Sequence, residues 1–280
     1  MIKNNVVENS KIMELGVVLS GNRLLWTVGD TLGLTAIVKT LYEKEGALSI
    51  ISTALPELFL NNPYVVSTSE YLPKIVLSPC GKVDCNIIQH YASQLNLNVP
   101  ESSKPKIYLS SDEIDYGKMA LKEFEQNKKI GINLKSSTPA KDLKYEYILP
   151  LLDRLRERGY KLIGIGRENG LGQYGYDKSF INLTTLRQAC AIISQCDLCL
   201  SVDTGTFHIA AALDIPQIIF FRNNGQSNNA YPDTYFNDSK FPCQTNCLHK
   251  GLLFCEYNNK CLENFDLDWY YNKIIEILSK

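Results

Sequence analysis

No charge of one sign dominates this sequence: 29 Lys and Arg stand against 30 Asp and Glu, a net charge of −1. Domains that grip nucleic acid carry a basic surplus, so nucleic acid is not expected as a partner. A long hydrophobic run is missing too. No apolar stretch approaches the ~20 residues that span a bilayer, so no transmembrane segment is expected. The opening MIKNNVVENSKIMELG lacks the basic start and apolar block of an export signal, which predicts a soluble, cytoplasmic protein. Short-period repeats and low-complexity tracts are absent. So is the dinucleotide fingerprint. In Gly164-Ile-Gly166-Arg167-Glu168-Asn169-Gly170 the last glycine falls one residue late and no apolar helix opens, which disfavours a dehydrogenase.

What is present is enough apolar material, 45% of 280 residues, to bury the cores of one large or two ordinary domains. The hydrophobic spacing alternates between strand and helix. NRLLWTV reads as a strand ending at Gly29-Asp30, and Leu34, Ile37, Val38 and Leu41 repeat at helical spacing up to a stop at Gly46. ALSII is the next strand, LPKIVLSP continues the sheet and IIQHYASQLNL is helical. The second half repeats this logic. KKIGINL, KLIGIG, DLCLSV and PQIIFF read as strands. Helices are expected around Ile148–Leu155, around Leu186–Ile193 and over TFHIAAAL. Pro150 fits the first of these only in its opening turn. Two doubly wound α/β domains with largely parallel sheets follow. We place them at 1–125 and 126–265, joined in the polar stretch SSDEIDYGKMALKEFEQNK, with an amphipathic C-terminal helix over 266–280.

Ligands of open α/β sheets bind beyond the carboxyl ends of strands, and four such ends carry suitable residues. At Asp203-Thr204-Gly205 a helix begins, and its unpaired N–H groups and positive dipole end suit phosphate. Asp203 or Thr204 reads equally well as a helix cap, and His208, one turn on, is a supporting residue. In Leu134-Lys135-Ser136-Ser137-Thr138-Pro139-Ala140-Lys141 the hydroxyls and Lys141 suit a diphosphate, with a solvated turn as the other reading. Glu168 follows a strand where an acid binds ribose hydroxyls. Asp30 stands as a base or as a helix cap.

Of nine cysteines, Cys190, Cys196 and Cys199 lie in apolar surroundings as small core residues, and Cys80 and Cys85 flank a turn. The other four, Cys243, Cys247, Cys255 and Cys261, form C-x3-C-x7-C-x5-C within the loop 241–262. Four clustered thiolates point to a tetrahedral zinc or iron site, with His249 as a substitute ligand. Four free surface thiols are the other reading.

Taken in order, these stretches resemble glycosyltransferase family nine, the ADP-heptose heptosyltransferases. SVDTGTFHIAAALDIPQIIFF is similar to that family's Asp-Thr-Gly, His, small-residue, Pro signature. GDTLGLTAIVKTLYEKEGALSII, LFLNNPYV and SSTPAK follow its pattern elsewhere. The resemblance implies the GT-B fold, two Rossmann-like domains facing across a cleft, with the C-terminal helix crossing back to the first domain. It implies an inverting transfer of a heptose from ADP-heptose to an acceptor hydroxyl on a protein or glycan. Asp30 is then the general base. Ser136, Ser137, Lys141, Glu168, Asp203, Thr204, Gly205 and His208 hold the donor, with no catalytic divalent metal. The cysteine segment also resembles the iron motif of the autotransporter heptosyltransferases, a protein-modifying branch in which the metal is structural. The region from Tyr64 to Glu101, where acceptor loops lie, is compressed. An assembly of identical chains is compatible with the sequence. A different class of reading is a catalytically silent sugar-nucleotide-binding or assembly subunit of a glycosylation complex. A metal-thiolate module that binds protein or nucleic acid is a third.

Overall fold

Parallel strands covered on both faces must be apolar throughout, and the five residues Leu198–Val202 are all buried. This strand lies in the second of two compact units, residues 1–110 and 111–280. The computed structural model describes residues 11–19, 23–24, 27–79, 86–167, 175–222, 230–237, 239, 241, 255 and 257–280. Cys80, Cys85, Glu168, Cys243 and Cys247, singled out above, lie outside them. Both units are α/β and built on parallel sheets.

The first unit is built around β1 (Ile12–Leu19). It is followed by the short β2 (Arg23–Leu24), helix α1 (Val28–Glu45) and β3 (Leu48–Ser52), then by β4 (Val65–Ser69), β5 (Ile75–Leu77) and helix α2 (Ile87–Gln94). β3 and β5 flank β1, both parallel to it, and β4 extends the sheet beyond β3. Two expectations are corrected here. IMELGVVL, not NRLLWTV, is the central strand; Glu14 and Gly16 break its apolar pattern, and Glu14 is neutralised by Lys74 at 2.7 Å. Of the described residues of NRLLWTV, Arg23 and Leu24 pair antiparallel with β1, Leu24 opposite Val18, and Val28, Gly29 and Asp30 are already helical. Helix α1 ends as expected at Gly46, whose φ of 63° lies in the left-handed region that glycine enters without steric cost.

In the second unit, helix α3 (Ser111–Ala120) occupies the polar stretch read as the domain joint. The remaining elements are β6 (Lys129–Asn133), α4 (Tyr145–Glu157), β7 (Lys161–Gly164), β8 (Lys178–Ser179), α5 (Leu186–Ile193), β9 (Leu198–Val202), α6 (Gly205–Ala212), β10 (Gln217–Phe220), β11 (Thr234–Tyr235) and α7 (Leu267–Leu278). The six strands lie parallel in the order β11-β10-β9-β6-β7-β8. This is the doubly wound Rossmann order: the chain leaves β6 in one direction, returns, and leaves β9 in the other. The switch point falls between β6 and β9, the place where such sheets bind ligands.

Helix α5 starts at a capping box, in which Thr185 accepts from the Gln188 N–H and Gln188 reaches back to Thr185. Helix α3 lies against it so closely that a Cβ on Gly117 would stand 2.2 Å from the Ala191 carbonyl oxygen. The Arg187–Glu113 ion pair, at 2.5 Å, joins the two helices. Pro150 sits in the interior of α4, not in its first turn, where it removes the helical bond from its own nitrogen; the residue is on the solvent face. The C-terminal helix α7 is packed on the second unit's own α4: Arg154 pairs with Asp268 at 2.6 Å, and Arg158 donates to the Tyr271 hydroxyl at 3.1 Å. Tyr270 stacks on Phe220, with ring centroids 4.2 Å apart, and donates its hydroxyl to the Ile219 carbonyl at 3.1 Å. Cys190, Cys196 and Cys199 are buried in the core as expected. Desolvation pushes the Cys199 thiol up to about 12, so it stays protonated and inert.

Candidate donor-binding site

Two strand ends meet at the switch point, and side chains from both converge there. Asn133 ends β6. Its amide donates to the Thr206 hydroxyl at 2.8 Å, and its carbonyl oxygen accepts from the Lys135 N–H at 3.0 Å. One side chain thus ties the loop after β6 to the first turn of α6. The room for it comes from Gly166, just past β7, where φ is 127° and a Cβ would stand 2.5 Å from the Asn133 amide nitrogen. Gly166 was read from the sequence as part of a failed fingerprint; its work is to let Asn133 cross.

The loop that follows is a tight turn held from within. The Ser136 N–H donates to Asp142 at 2.8 Å, and the Ser136 hydroxyl accepts from the Thr138 N–H at 3.2 Å. Asp142 is also paired with Lys135 at 3.5 Å. A single 3₁₀ turn, Pro139–Lys141, then carries Lys141 across to the end of β9, where its ammonium contacts the Asp203 carboxylate at 2.6 Å. Ser137 is exposed on the turn.

Asp203, directly after β9, is 5% exposed. Burial by itself would favour its neutral form. Lys141, His208 and Arg222 outweigh that and hold it below the ordinary carboxylate range. Thr204 takes the cap position of α6 with an extended backbone, but its hydroxyl makes no capping bond to the helix. The hydroxyl of Thr204 is thus not spent on the helix, and the positive end of the helix dipole lies at Gly205. His208, one turn in, is 6% exposed. Its Nε2 lies 3.8 Å from Asp203, and its Nδ1 is 2.8 Å from the Tyr231 hydroxyl. Desolvation, assisted by Lys141 and opposed by Asp203, pushes its imidazole down to about 4. It is neutral at neutral pH, and the tautomer serving both contacts has its proton on Nε2, facing Asp203.

Of the residues expected to hold a donor, Lys141, Asp203, Thr204, Gly205 and His208 are thus brought together, with Ser136 and Ser137 on the same loop as Lys141. Glu168 lies outside the described residues. Asp30 belongs to the first unit, in the opening turn of α1, where it accepts a hydrogen bond from the Thr27 hydroxyl. The first turn of a helix favours a negative charge. Of the four-cysteine segment, Cys255 and Cys261 are described. Cys261 is buried in a 3₁₀ turn at the edge of the core that α7 covers, and no cluster of three metal-binding side chains occurs among the described residues.

The residues that sequence reading missed are Asn133, Asp142, Tyr231 and Arg222. Asn133 left a signal, as a polar residue closing a strand whose three preceding residues are buried and non-polar. Arg222 left a weaker one. It stands two residues beyond β10, the neighbour of β9, and only the fold reveals that it is 6% exposed.

Among the described residues, no helix is long and apolar enough to cross a membrane. No curated protein matches the chain. Solved structures do. E. coli ADP-heptose LPS heptosyltransferase II aligns with 15% identity and a TM-score of 0.71, covering 96% of this chain and 98% of its own. A glycosyl transferase of family 9 from Veillonella parvula aligns with 14% identity and a TM-score of 0.75, covering 95% and 97%. TibC, from enterotoxigenic E. coli, is an iron-containing dodecameric heptosyltransferase solved with ADP-D-β-D-heptose. It aligns with 12% identity and a TM-score of 0.65, covering 96% and 79%. These likenesses establish the fold, that of the GT-B heptosyltransferases. The model of glycosyltransferase family 9 (heptosyltransferase) matches residues 84–232, just over half of the chain, and the chain is therefore a member of glycosyltransferase family 9.

Proposed function

We propose that this glycosyltransferase transfers a heptose from ADP-heptose to an acceptor hydroxyl, inverting the anomeric centre by a single displacement. The observation that carries the reading is the Lys141–Asp203 pair at 2.6 Å beside the head of α6, where Thr204 makes no side-chain capping bond, at the switch point of the second sheet. In a glycosyl transfer from a nucleotide sugar, negative charge develops on the leaving diphosphate, and fixed donors aimed at it lower the barrier. Lys141, the N–H groups at Thr204 and Gly205, and the hydroxyls of Ser136 and Ser137 supply those donors. An ammonium has three N–H bonds, and its contact with Asp203 uses one. Asp203 holds Lys141 in place, and neutral His208, braced by Tyr231, holds Asp203 without adding a competing cation. Glu168 is proposed for the ribose hydroxyls. Asp30, oriented by Thr27, takes the proton from the acceptor hydroxyl as that oxygen attacks. No divalent metal takes part. That neighbouring folds bind ADP-heptose supports the choice of donor.

The test is Asp30→Asn. Loss of a general base lowers turnover by about 10²–10⁴-fold, with ADP affinity unchanged and the product of the wild type inverted. A variant that turns over at the wild-type rate, or a retained configuration, removes Asp30 from this role. Loss of ADP binding along with turnover assigns it to donor binding instead. The same variant separates this reading from a silent binding subunit, in which wild type and variant alike bind ADP without turnover.

The acceptor is a protein or glycan hydroxyl, and assembly into a homo-oligomer would follow the TibC pattern. Cys243, Cys247, Cys255 and Cys261 are proposed to hold one structural iron or zinc. The support is their number, the iron in TibC, and the burial of Cys261 beside the aromatic cover of the core. Four thiolate ligands close the coordination sphere, so such a metal braces the loop and leaves the chemistry to the residues above.

A further inference from the structure

Arg222 is 6% exposed, and its Nε and Nη1 are buried without a hydrogen-bond partner among the described residues. An arginine in this state is unusual. Its charge cannot be removed by deprotonation, and a guanidinium buried with unused donors is costly. Its position explains the cost. Phe220 is in register with Val202 across β10 and β9, so Arg222 stands beside the Asp203-Thr204 turn at the head of α6. It is near enough to favour the charge on Asp203.

Among the described residues the local charge count is unbalanced. Lys141 and Arg222 bring two positive charges to the end of β9, Asp203 returns one negative charge, and His208 is neutral at neutral pH. The Lys135–Asp142 pair on the adjoining loop cancels itself. One buried positive charge with vacant N–H donors is therefore left facing the same turn as the dipole of α6. A solvated anion would not enter for a net gain unless it used these donors directly. A phosphoryl oxygen, with several lone pairs and a full charge, does so.

We infer that Arg222 is a direct ligand of the donor's diphosphate, acting from the β10 side of the α6 head while Lys141 acts from the loop after β6. The inference rests on the proposed nucleotide-sugar reading and deepens it. The site has a cation on each side of the helix end, and the second comes from a strand end that the Asp-Thr-Gly signature does not include. Lys141 spends one of its N–H bonds on Asp203, whereas Arg222 keeps both Nε and Nη1 unspent for the ligand.

The test compares wild type, Arg222→Gln and Arg222→Lys by calorimetric titration with ADP, inorganic pyrophosphate and adenosine. Gln is expected to weaken ADP and pyrophosphate by about ten- to a hundred-fold, the size of one lost charge-assisted contact, and to leave adenosine unchanged. Lys recovers part of the loss. In thermal unfolding without ligand, Gln is expected to be no less stable than wild type, because it removes an unbalanced buried charge. The inference is overturned if Gln binds ADP as the wild type does. It is overturned equally if adenosine and ADP weaken together while the ligand-free protein loses stability, since Arg222 is then structural. If the wild type binds no nucleoside diphosphate, the underlying reading fails with it.

Discussion

His208 makes the second unit sensitive to acid by a calculable amount. Buried against Asp203 and Tyr231, its imidazole titrates at about 4, against an ordinary value of 6.5. Between those values the unfolded chain binds a proton that the folded chain refuses, so folded stability falls as pH falls from 6.5 toward 4. At pH 5 the difference is about 2 kcal/mol, and at pH 7.5 it is close to zero. Asp203 adds nothing to this window. Its folded value is lowered below 3.8, so its contribution is present above about 4 and is lost only as pH falls through that lowered value. For a unit of this size, 1 kcal/mol moves the Tm by about 2–4 °C. The assay is thermal unfolding of wild type and His208→Gln in matched buffers from pH 5 to 8. The wild type is expected to lose about 4–8 °C more than the variant on going from pH 7.5 to 5. The variant's own stability at pH 7.5 is immaterial, since only the difference between the two curves counts. Parallel curves would refute the assignment of a buried, neutral His208, and with it the role given to that residue in bracing Asp203.

Two further outcomes follow from the site. Gly166→Ala forces a side chain into a backbone with φ of 127° and pushes on Asn133, whose bond to Thr206 must break. A loss of about 2–4 kcal/mol is expected in chemical denaturation; a variant as stable as wild type would show that Asn133 moves aside freely. Metal analysis of protein purified without chelator should find one iron or zinc per chain in the wild type and much less in Cys255→Ser and Cys261→Ser. Equal metal content in all three would remove these two cysteines from the ligand set.

The second unit was largely legible in the sequence because its strands are covered on both faces. Leu198–Val202 and Gln217–Phe220 are wholly buried, and such strands appear as largely apolar runs between turn residues. Helix α1 was legible at its end, where Gly46 must adopt a positive φ, but not at its start. Thr27 and Val28 suit a strand as well as a helix entry, and Gly29 in a first turn looks like a terminator. β1 was missed because a central strand that carries Glu14 and Gly16 has no clean period. Its acid is partly solvated and pairs with Lys74, 60 positions away. Distance in sequence explains the site as well. Lys141 and Asp203 were each readable as strand-end residues, but their pairing across 62 positions is a property of the sheet order. Arg222 shows the limit most plainly. A charged residue after an apolar strand is ordinarily solvated, and only the fold, which sets this one beside the end of β9, makes it buried.

The central claim is that the switch point of the second unit receives the diphosphate of a nucleotide donor. Its most direct test is thermal unfolding of wild type and Lys141→Met with ADP, UDP and GDP in turn. At about 100 times its dissociation constant a ligand adds about 2.7 kcal/mol, a shift of about 5–10 °C in a unit of this size. The account predicts that ADP raises the Tm of the wild type by this amount, and that Lys141→Met loses most of the shift at the same ADP concentration. Failure of all three nucleotides to stabilise the wild type, or an equal response in both proteins, would contradict it.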